Sequence, residues 1–102
     1  MSRIEKILEM LQTSEKDSFL QHALALEYIK IGENEKALIL FTELLEREPA
    51  YVGSYYHLGK LYEKLNEIDK AIVTYEKGMD EAKKAGDKHS YNELMMAKDE
   101  VE

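Results

Sequence analysis

Three histidines and 21 carboxylates are the side chains of this chain best suited to chemistry. Two of the histidines, His22 and His57, fall on predicted helices, where facing imidazoles would suit a metal ion or a pH-sensitive contact. A zinc site needs three or four ligands, however, and neither a cysteine nor a pair of histidines at helical spacing is present to complete one. The sequence therefore predicts no metal site.

Catalytic motifs are also missing from the sequence. It contains no glycine-rich phosphate loop, no HExxH and no GxSxG. Its carboxylates alternate with lysines along predicted helices, a pattern typical of solvated helix faces. The prediction is a protein that is not an enzyme and uses no cofactor.

The overall charge and hydropathy exclude further classes of function. The chain has 102 residues, one domain by length, and a formal net charge of -7, so its average field repels phosphate backbones. No run of apolar residues approaches membrane-spanning length, and charges interrupt the N-terminal segment every few residues. We therefore predict a soluble, cytoplasmic protein with neither a nucleic acid nor a membrane as its partner.

Apolar residues recur at the i, i+3, i+4 and i+7 spacing of amphipathic helices, and no segment alternates as a strand would. Ser18 and Gln21 form a predicted capping box. Gly32 and Asn66 end two helices, and Pro49 prevents the continuation of another. Six helices are predicted, near residues 3–12, 18–31, 34–47, 52–65, 67–84 and in a closing segment.

Residues 24–37 and 58–71 align without a gap at a constant offset of 34 residues. A fixed period of this length is typical of arrays in which each helix pair packs on the next. The identical pairs are Leu24 and Leu58, Tyr28 and Tyr62, Lys30 and Lys64, Glu33 and Glu67, Lys36 and Lys70, and Ala37 and Ala71. The aromatic residues on apolar stripes are predicted to be core: Tyr28, Phe41, Tyr55, Tyr62 and Tyr75.

Both units resemble tetratricopeptide repeats, which are helix–turn–helix units with small and aromatic residues at fixed positions. The second unit carries Tyr55, Leu58, Gly59, Tyr62, Ala71 and Tyr75, and the first carries Leu24, Ala25, Tyr28, Gly32, Ala37, Phe41 and Pro49. The resemblance implies an all-α, right-handed superhelix of about six antiparallel helices. It divides a single domain, 1–102, into a capping helix at 1–16, repeats at 18–51 and 52–85, and a second capping helix at 86–102.

The resemblance also implies how the ends are covered and where the sequence departs from the family. Ile4, Ile7, Leu8 and Leu11 are expected to cover the first repeat, and Tyr91, Leu94 and Met95 the second. Gly78 stands where the family usually has alanine. We expect this glycine to cost about 0.5 to 1 kcal/mol of stability relative to alanine.

In this family, the first helices of successive repeats line a concave groove that holds a peptide. Carried over to this chain, the candidate groove residues are Phe19, His22, Leu26, Lys30, Tyr56, His57, Lys60, Lys64, Tyr91 and Leu94. The same comparison with the family places Ser90 and Lys98 of the last helix in the groove as well. These positions do not reproduce the Lys, Asn and Arg clamp with which family members hold chaperone tails.

Two hypotheses for the function follow, one from the groove and one from the apolar residues that the last helix leaves uncovered. The first is a protein–protein interaction module, an adaptor that binds a peptide or partner protein; the groove lysines then predict an acidic partner, unless they are simply solvated surface. The alternative is a self-associating scaffold, a homodimer formed through Leu94, Met95 and Val101 of the last helix.

Overall fold

The computed structural model describes residues 2–102, and Met1, the first residue of the predicted capping helix, lies outside the described residues. Residues 2–102 contain no strand and form six α-helices: α1 (Arg3–Thr13), α2 (Ser18–Lys30), α3 (Asn34–Arg47), α4 (Gly53–Lys64), α5 (Ile68–Ala85) and α6 (Lys88–Val101). The predicted all-α fold is confirmed. Within the described range no helix is both long enough and apolar enough to cross a membrane.

The helices belong to two compact units, residues 1–48 and 49–102. In the first unit, α2 packs against both α1 and α3. In the second unit, α5 packs against both α4 and α6, and α4 and α6 also contact one another. In the first unit only α2 packs against two helices, whereas in the second unit all three helices contact one another.

The start of α2 differs from the predicted capping box. Asp17 is the N-cap, and its Oδ1 accepts a hydrogen bond of 3.0 Å from the Leu20 amide. Ser18 is instead the first helical residue, and the Gln21 side chain donates to the carbonyl of Glu15 at 3.1 Å. The aspartate prevails because a carboxylate accepts an amide hydrogen bond more strongly than a hydroxyl does.

The ends of α2 and α4 repeat one turn geometry. Gly32 and Asn66 both have positive φ values, 80° and 61°. The amide after each of them donates to the carbonyl of Tyr28 or Tyr62, at 2.9 and 2.8 Å, as in a Schellman motif. The predicted helix stops are therefore left-handed turns, for which glycine and asparagine are suited.

Each unit buries its own set of apolar side chains. The first buries Ile7, Leu24, Ala25, Ala37, Phe41 and Leu44, and the second buries Tyr55, Leu58, Leu61, Ala71, Tyr75, Ala82, Leu94 and Ala97. Of the predicted covering residues on α1, Leu8 is 42% exposed, because that helix packs on α2 through Ile7. This is a correction to the predicted α1 stripe.

Tyr28 and Tyr62, two of the predicted core aromatics, are only half buried. The Lys36 ammonium lies 5.5 Å from the Tyr28 ring centroid, and the Lys70 ammonium lies 6.0 Å from that of Tyr62. Each ammonium thus lies over a tyrosine ring face, where it is attracted to the π electrons. The repeated sequence thus produces the same lysine–tyrosine contact in both units.

Two glycines of the second unit lie where helices pack closely. A Cβ built on Gly59 would be 2.1 Å from Cε1 of Tyr75, and one built on Gly78 would be 2.6 Å from Cβ of Tyr55. Real Cβ atoms do not approach other atoms this closely, so both contacts require glycine. The expectation that alanine would be better at position 78 is therefore wrong, because tertiary packing outweighs helix propensity there.

Arg47 joins the last turn of α3 to the first turn of α2. Its Nη2 donates to Oγ of Ser18 at 2.9 Å and to Oε1 of the buried Gln21 at 2.8 Å. We expect Arg47→Met to lower the free energy of unfolding by about 1 to 2 kcal/mol, because it removes two charge-assisted hydrogen bonds. Urea titration followed by circular dichroism measures this loss.

Arg47→Lys is the matched control for this prediction. It retains the charge but replaces the planar Nη2 group, which donates to both acceptors, with a more flexible ammonium, so its loss of stability should be smaller than that of Arg47→Met. Equal stability of Arg47→Met and the wild-type protein would show that these hydrogen bonds contribute nothing.

Candidate functional site

A cleft of about 330 Å³ lies between α4 and α6 in the second unit. Both helices pack against α5 and contact one another, so their spacing is set by the core of this unit. The cleft is lined by Tyr56, Lys60, His89, Asn92, Glu93, Met96, Ala97 and Glu100. It combines the Tyr56 ring, the His89 imidazole and two apolar side chains with charged and amide groups.

Lys60 extends from α4 toward α6 and lies among acidic and aromatic groups. Its Nζ is 3.6 Å from Oε2 of Glu63 and 3.9 Å from Oε2 of Glu100. The same ammonium lies 5.6 Å from the centroid of the Tyr56 ring. Lys60 thus forms one ion pair within its own helix α4, with Glu63, and another with Glu100 of α6.

Glu63 is held in place from the core side. The hydroxyl of Tyr75, a residue with no exposed surface, donates a hydrogen bond to Oε2 of Glu63. Burial, followed by the hydrogen bond to Glu63, raises the pKa of Tyr75, so that its hydroxyl stays protonated. A buried neutral phenol therefore fixes the carboxylate that faces Lys60.

His57 is half buried on α4, and its ring meets that of Tyr56 edge to face, with centroids 5.6 Å apart. Burial lowers the pKa of His57, and the charge of Glu93 opposes this effect. His22, in the first unit, packs edge to face on the buried Phe41 at 5.7 Å. Among residues 2–102, no group of three or more His, Cys, Asp or Glu is arranged to hold a metal ion.

The remaining groove lysines have acidic partners or lie in solvent. Lys30 pairs with Glu27 at 3.0 Å, and Lys98 pairs with Glu76 at 3.4 Å and with Glu102 on its own helix. Lys64 is exposed at the end of α4. In the lining of the α4–α6 cleft, the two carboxylates of Glu93 and Glu100 outnumber the one ammonium of Lys60, which also pairs with Glu63 beside the cleft, so its surroundings are acidic.

The structure separates the candidate groove residues into several groups. Tyr56 and Lys60 line the cleft, whereas Leu94 is 1% exposed and packs in the core, where a ligand does not reach it. Tyr91 lines a different depression, of about 310 Å³, beside the turn between α5 and α6. In the first unit lie Phe19, which is exposed, and His22, Leu26 and Lys30.

The α6 residues that line the cleft were not identified from the sequence, because the offset between equivalent positions of α4 and α6 differs from the offset between α2 and α4. On α6, the equivalents of the α4 groove positions lie 36 residues further along the chain, whereas the sequence alone placed them 34 residues further along. The equivalents of Tyr56, His57, Lys60 and Lys64 are therefore Asn92, Glu93, Met96 and Glu100. Helix α5 has 18 residues and its counterpart α3 has 14, so the next helix begins later. The spacing of Tyr91 and Leu94, which repeats that of Tyr55 and Leu58, is the signal that gives the correct register.

Comparisons with known proteins agree with this architecture. The family model described as a tetratricopeptide repeat matches residues 20–51 and 52–85. A tetratricopeptide repeat domain protein from Salinibacter ruber, seen in a crystal structure, is 47% identical over 83% of this chain and 94% of its own, with a TM-score of 0.79. Its solution structure gives 48% identity over 84% and 87%, with a TM-score of 0.82.

More distant structures share the fold. A Bordetella parapertussis protein, known from a solution structure, is 22% identical over 99% of this chain and 88% of its own, with a TM-score of 0.85. The MamA protein is 20% identical over 83% and 46%, with a TM-score of 0.73. The comparison with curated proteins gives no match.

Proposed function

Because this chain belongs to the tetratricopeptide repeat family, whose repeats serve as protein–protein interaction modules, we propose that its α4–α6 cleft binds a short peptide segment of a partner protein. The observation that carries the proposal is the lining of the cleft, in which Tyr56 and the 62% exposed Met96 lie between polar side chains. Aromatic anchors and adaptable methionines are characteristic of peptide-binding surfaces. The affinity comes from contact with these groups and involves no chemical step.

The size of the cleft supports a short segment as the ligand. Its volume of about 330 Å³ is near the lower end of the range of about 300 to 1,000 Å³ that is usual for ligand sites. A segment that fills one such cleft buries little surface and loses conformational entropy on binding. We therefore expect a dissociation constant in the micromolar range, on the order of 1 to 100 μM.

The charge of the cleft favours a basic segment over the acidic partner that the lysines alone predicted. Lys60 already has two carboxylate neighbours, and Glu93 adds another acidic group to the lining. An acidic peptide would meet these carboxylates, whereas arginine or lysine side chains would be attracted to them. We propose apolar residues flanked by arginine or lysine as the ligand class.

The test is an NMR titration of the ¹⁵N-labelled protein with acetylated and amidated peptides of about twelve residues. Leu and Phe alternate with Arg in one peptide and with Glu in the other. The Arg peptide is expected to shift the amide signals of α4 and α6 around the cleft, and Tyr56→Ala or Met96→Ala to weaken its binding about tenfold.

Val73→Ala is the matched control, because Val73 is an exposed apolar residue of α5 that does not line the cleft. It should leave the affinity unchanged. Binding of the Glu peptide in preference to the Arg peptide would contradict the charge argument. Shifts that are unaffected by both cleft substitutions would contradict the site.

Self-association through α6, the alternative drawn from the sequence, has less support. Leu94 is buried within its own unit, and Met95 and Val101 are half buried, so α6 offers a second copy less apolar area than the sequence implied. Sedimentation at several protein concentrations distinguishes the two proposals. The peptide module is expected to remain a monomer, whereas the scaffold would dimerise as concentration rises.

A further inference from the structure

The groups around the Lys60 ammonium form a complete cation-binding arrangement. Glu63 supplies one carboxylate from α4, Glu100 supplies a second from α6, and Tyr56 supplies an aromatic face. Carboxylates together with an aromatic ring stabilise both lysine and arginine side chains. All these groups except Glu63 line the cleft, and Glu63 is tied to the buried Tyr75 hydroxyl.

We propose that this arrangement is a cation subsite of the peptide cleft, occupied by Lys60 in the free protein, and that a lysine or arginine of the partner displaces Lys60 from it. The inference rests on the proposed function of the cleft and names the recognition feature of its ligand. Lys60 then acts as an internal competitor that sets the threshold for binding.

The distances indicate that Lys60 is held loosely enough to be displaced. Its Nζ lies 3.6 and 3.9 Å from the two carboxylates, which is longer than the approximately 2.7 to 2.9 Å of a charge-assisted hydrogen bond. By contrast, Lys30 makes a hydrogen bond of 3.0 Å to Glu27. The Lys60 ammonium is therefore attracted electrostatically to both carboxylates but forms a short hydrogen bond with neither.

A ligand guanidinium is better matched to these acceptors than the lysine is. Its planar fork of donors can engage a carboxylate with two parallel hydrogen bonds while its face stacks on an aromatic ring. The Lys60 side chain is 36% exposed, and its flexible stem allows the ammonium to move into water when another cation enters. Glu63 keeps its place during this exchange because Tyr75 holds it from the core.

The first test compares the Arg peptide with a peptide in which glutamine replaces each arginine. Lys60→Gln removes the competing charge and is expected to tighten binding of the Arg peptide about fivefold, with no change for the Gln peptide. Lys98→Gln is the matched control, since it makes the same charge change on α6 where Lys98 pairs with Glu76. Glu100→Gln is expected to weaken binding of the Arg peptide about fivefold.

A second measurement is independent of any peptide. The ¹³C carboxyl signals of Glu63 and Glu100 are followed while n-butylguanidinium is added to Lys60→Ala and to the wild-type protein. The variant should give a saturable shift at lower concentration than the wild-type protein does. Thermal unfolding of each variant checks that it is folded.

The outcomes separate the two proposals. If the wild-type protein binds the Arg peptide at the cleft but Lys60→Gln leaves its affinity unchanged or weaker, the cation subsite is overturned and the proposed function stands. If no variant binds the peptide while butylguanidinium still saturates Lys60→Ala, the proposed function is overturned together with displacement of Lys60 by a partner peptide, and only the binding of a small cation by Glu63 and Glu100 stands. Failure of both measurements overturns both.

Discussion

Gly59→Ala is expected to destabilise the second unit by about 3 kcal/mol. The added Cβ would lie 2.1 Å from Cε1 and 2.6 Å from Cζ of Tyr75. This ring cannot turn away, because it is completely buried and its hydroxyl is bonded to Glu63. The gain in helix propensity, about 1 kcal/mol, is too small to offset the overlap.

Gly53→Ala is the control for Gly59→Ala. Gly53 begins the same helix, and a Cβ there would meet nothing within 4 Å. Urea unfolding followed by circular dichroism should therefore show this variant to be as stable as the wild-type protein or slightly more stable. A Gly59→Ala protein of wild-type stability would mean that α4 and α5 move apart at little cost.

Gly78→Ala is expected to lower the free energy of unfolding by about 1 to 3 kcal/mol, whereas the sequence alone predicted a gain. The new Cβ would lie 2.6 Å from Cβ of Tyr55 and 2.9 Å from Cδ1 of Leu94. Leu94 can relieve its contact by a rotation, but the Tyr55 Cβ is fixed to the α4 backbone. The helix itself would have to shift.

The matched control for Gly78→Ala is Lys77→Ala, at the exposed neighbouring position of α5. It tests the same helix without a new contact and should change stability by less than about 0.5 kcal/mol. Differential scanning calorimetry of the two variants measures the comparison. Stabilisation by Gly78→Ala would restore the propensity argument and refute the packing argument.

The helices and most of the core were predictable because their signals are local. Gly32 and Asn66 end their helices in left-handed turns, each of which depends on the residue at one position. The apolar stripe containing Ala37 and Phe41 follows the helical period, and both residues are fully buried. Such features depend on residues a few positions apart, so one sequence is sufficient to predict them.

The charges of the cleft were harder to predict because their partners come from different helices. The pairing of Lys60 with Glu63 follows from their spacing of three residues, as does that of Lys30 with Glu27. The pairing of Lys60 with Glu100 depends on the separation and rotation of α4 and α6, which no local pattern specifies. For the same reason, the lysines taken alone suggested an acidic ligand.

The change of repeat offset also constrains how this protein can be engineered. Ligand-contacting residues transplanted from α4 to α6 must be counted 36 positions onward, so that the Lys60 side chain replaces Met96 in the cleft lining. A graft counted at 34 positions would substitute lysine for Leu94, which is 1% exposed. Such a chimera would bury an unpaired ammonium and fail to fold before its specificity could be assayed.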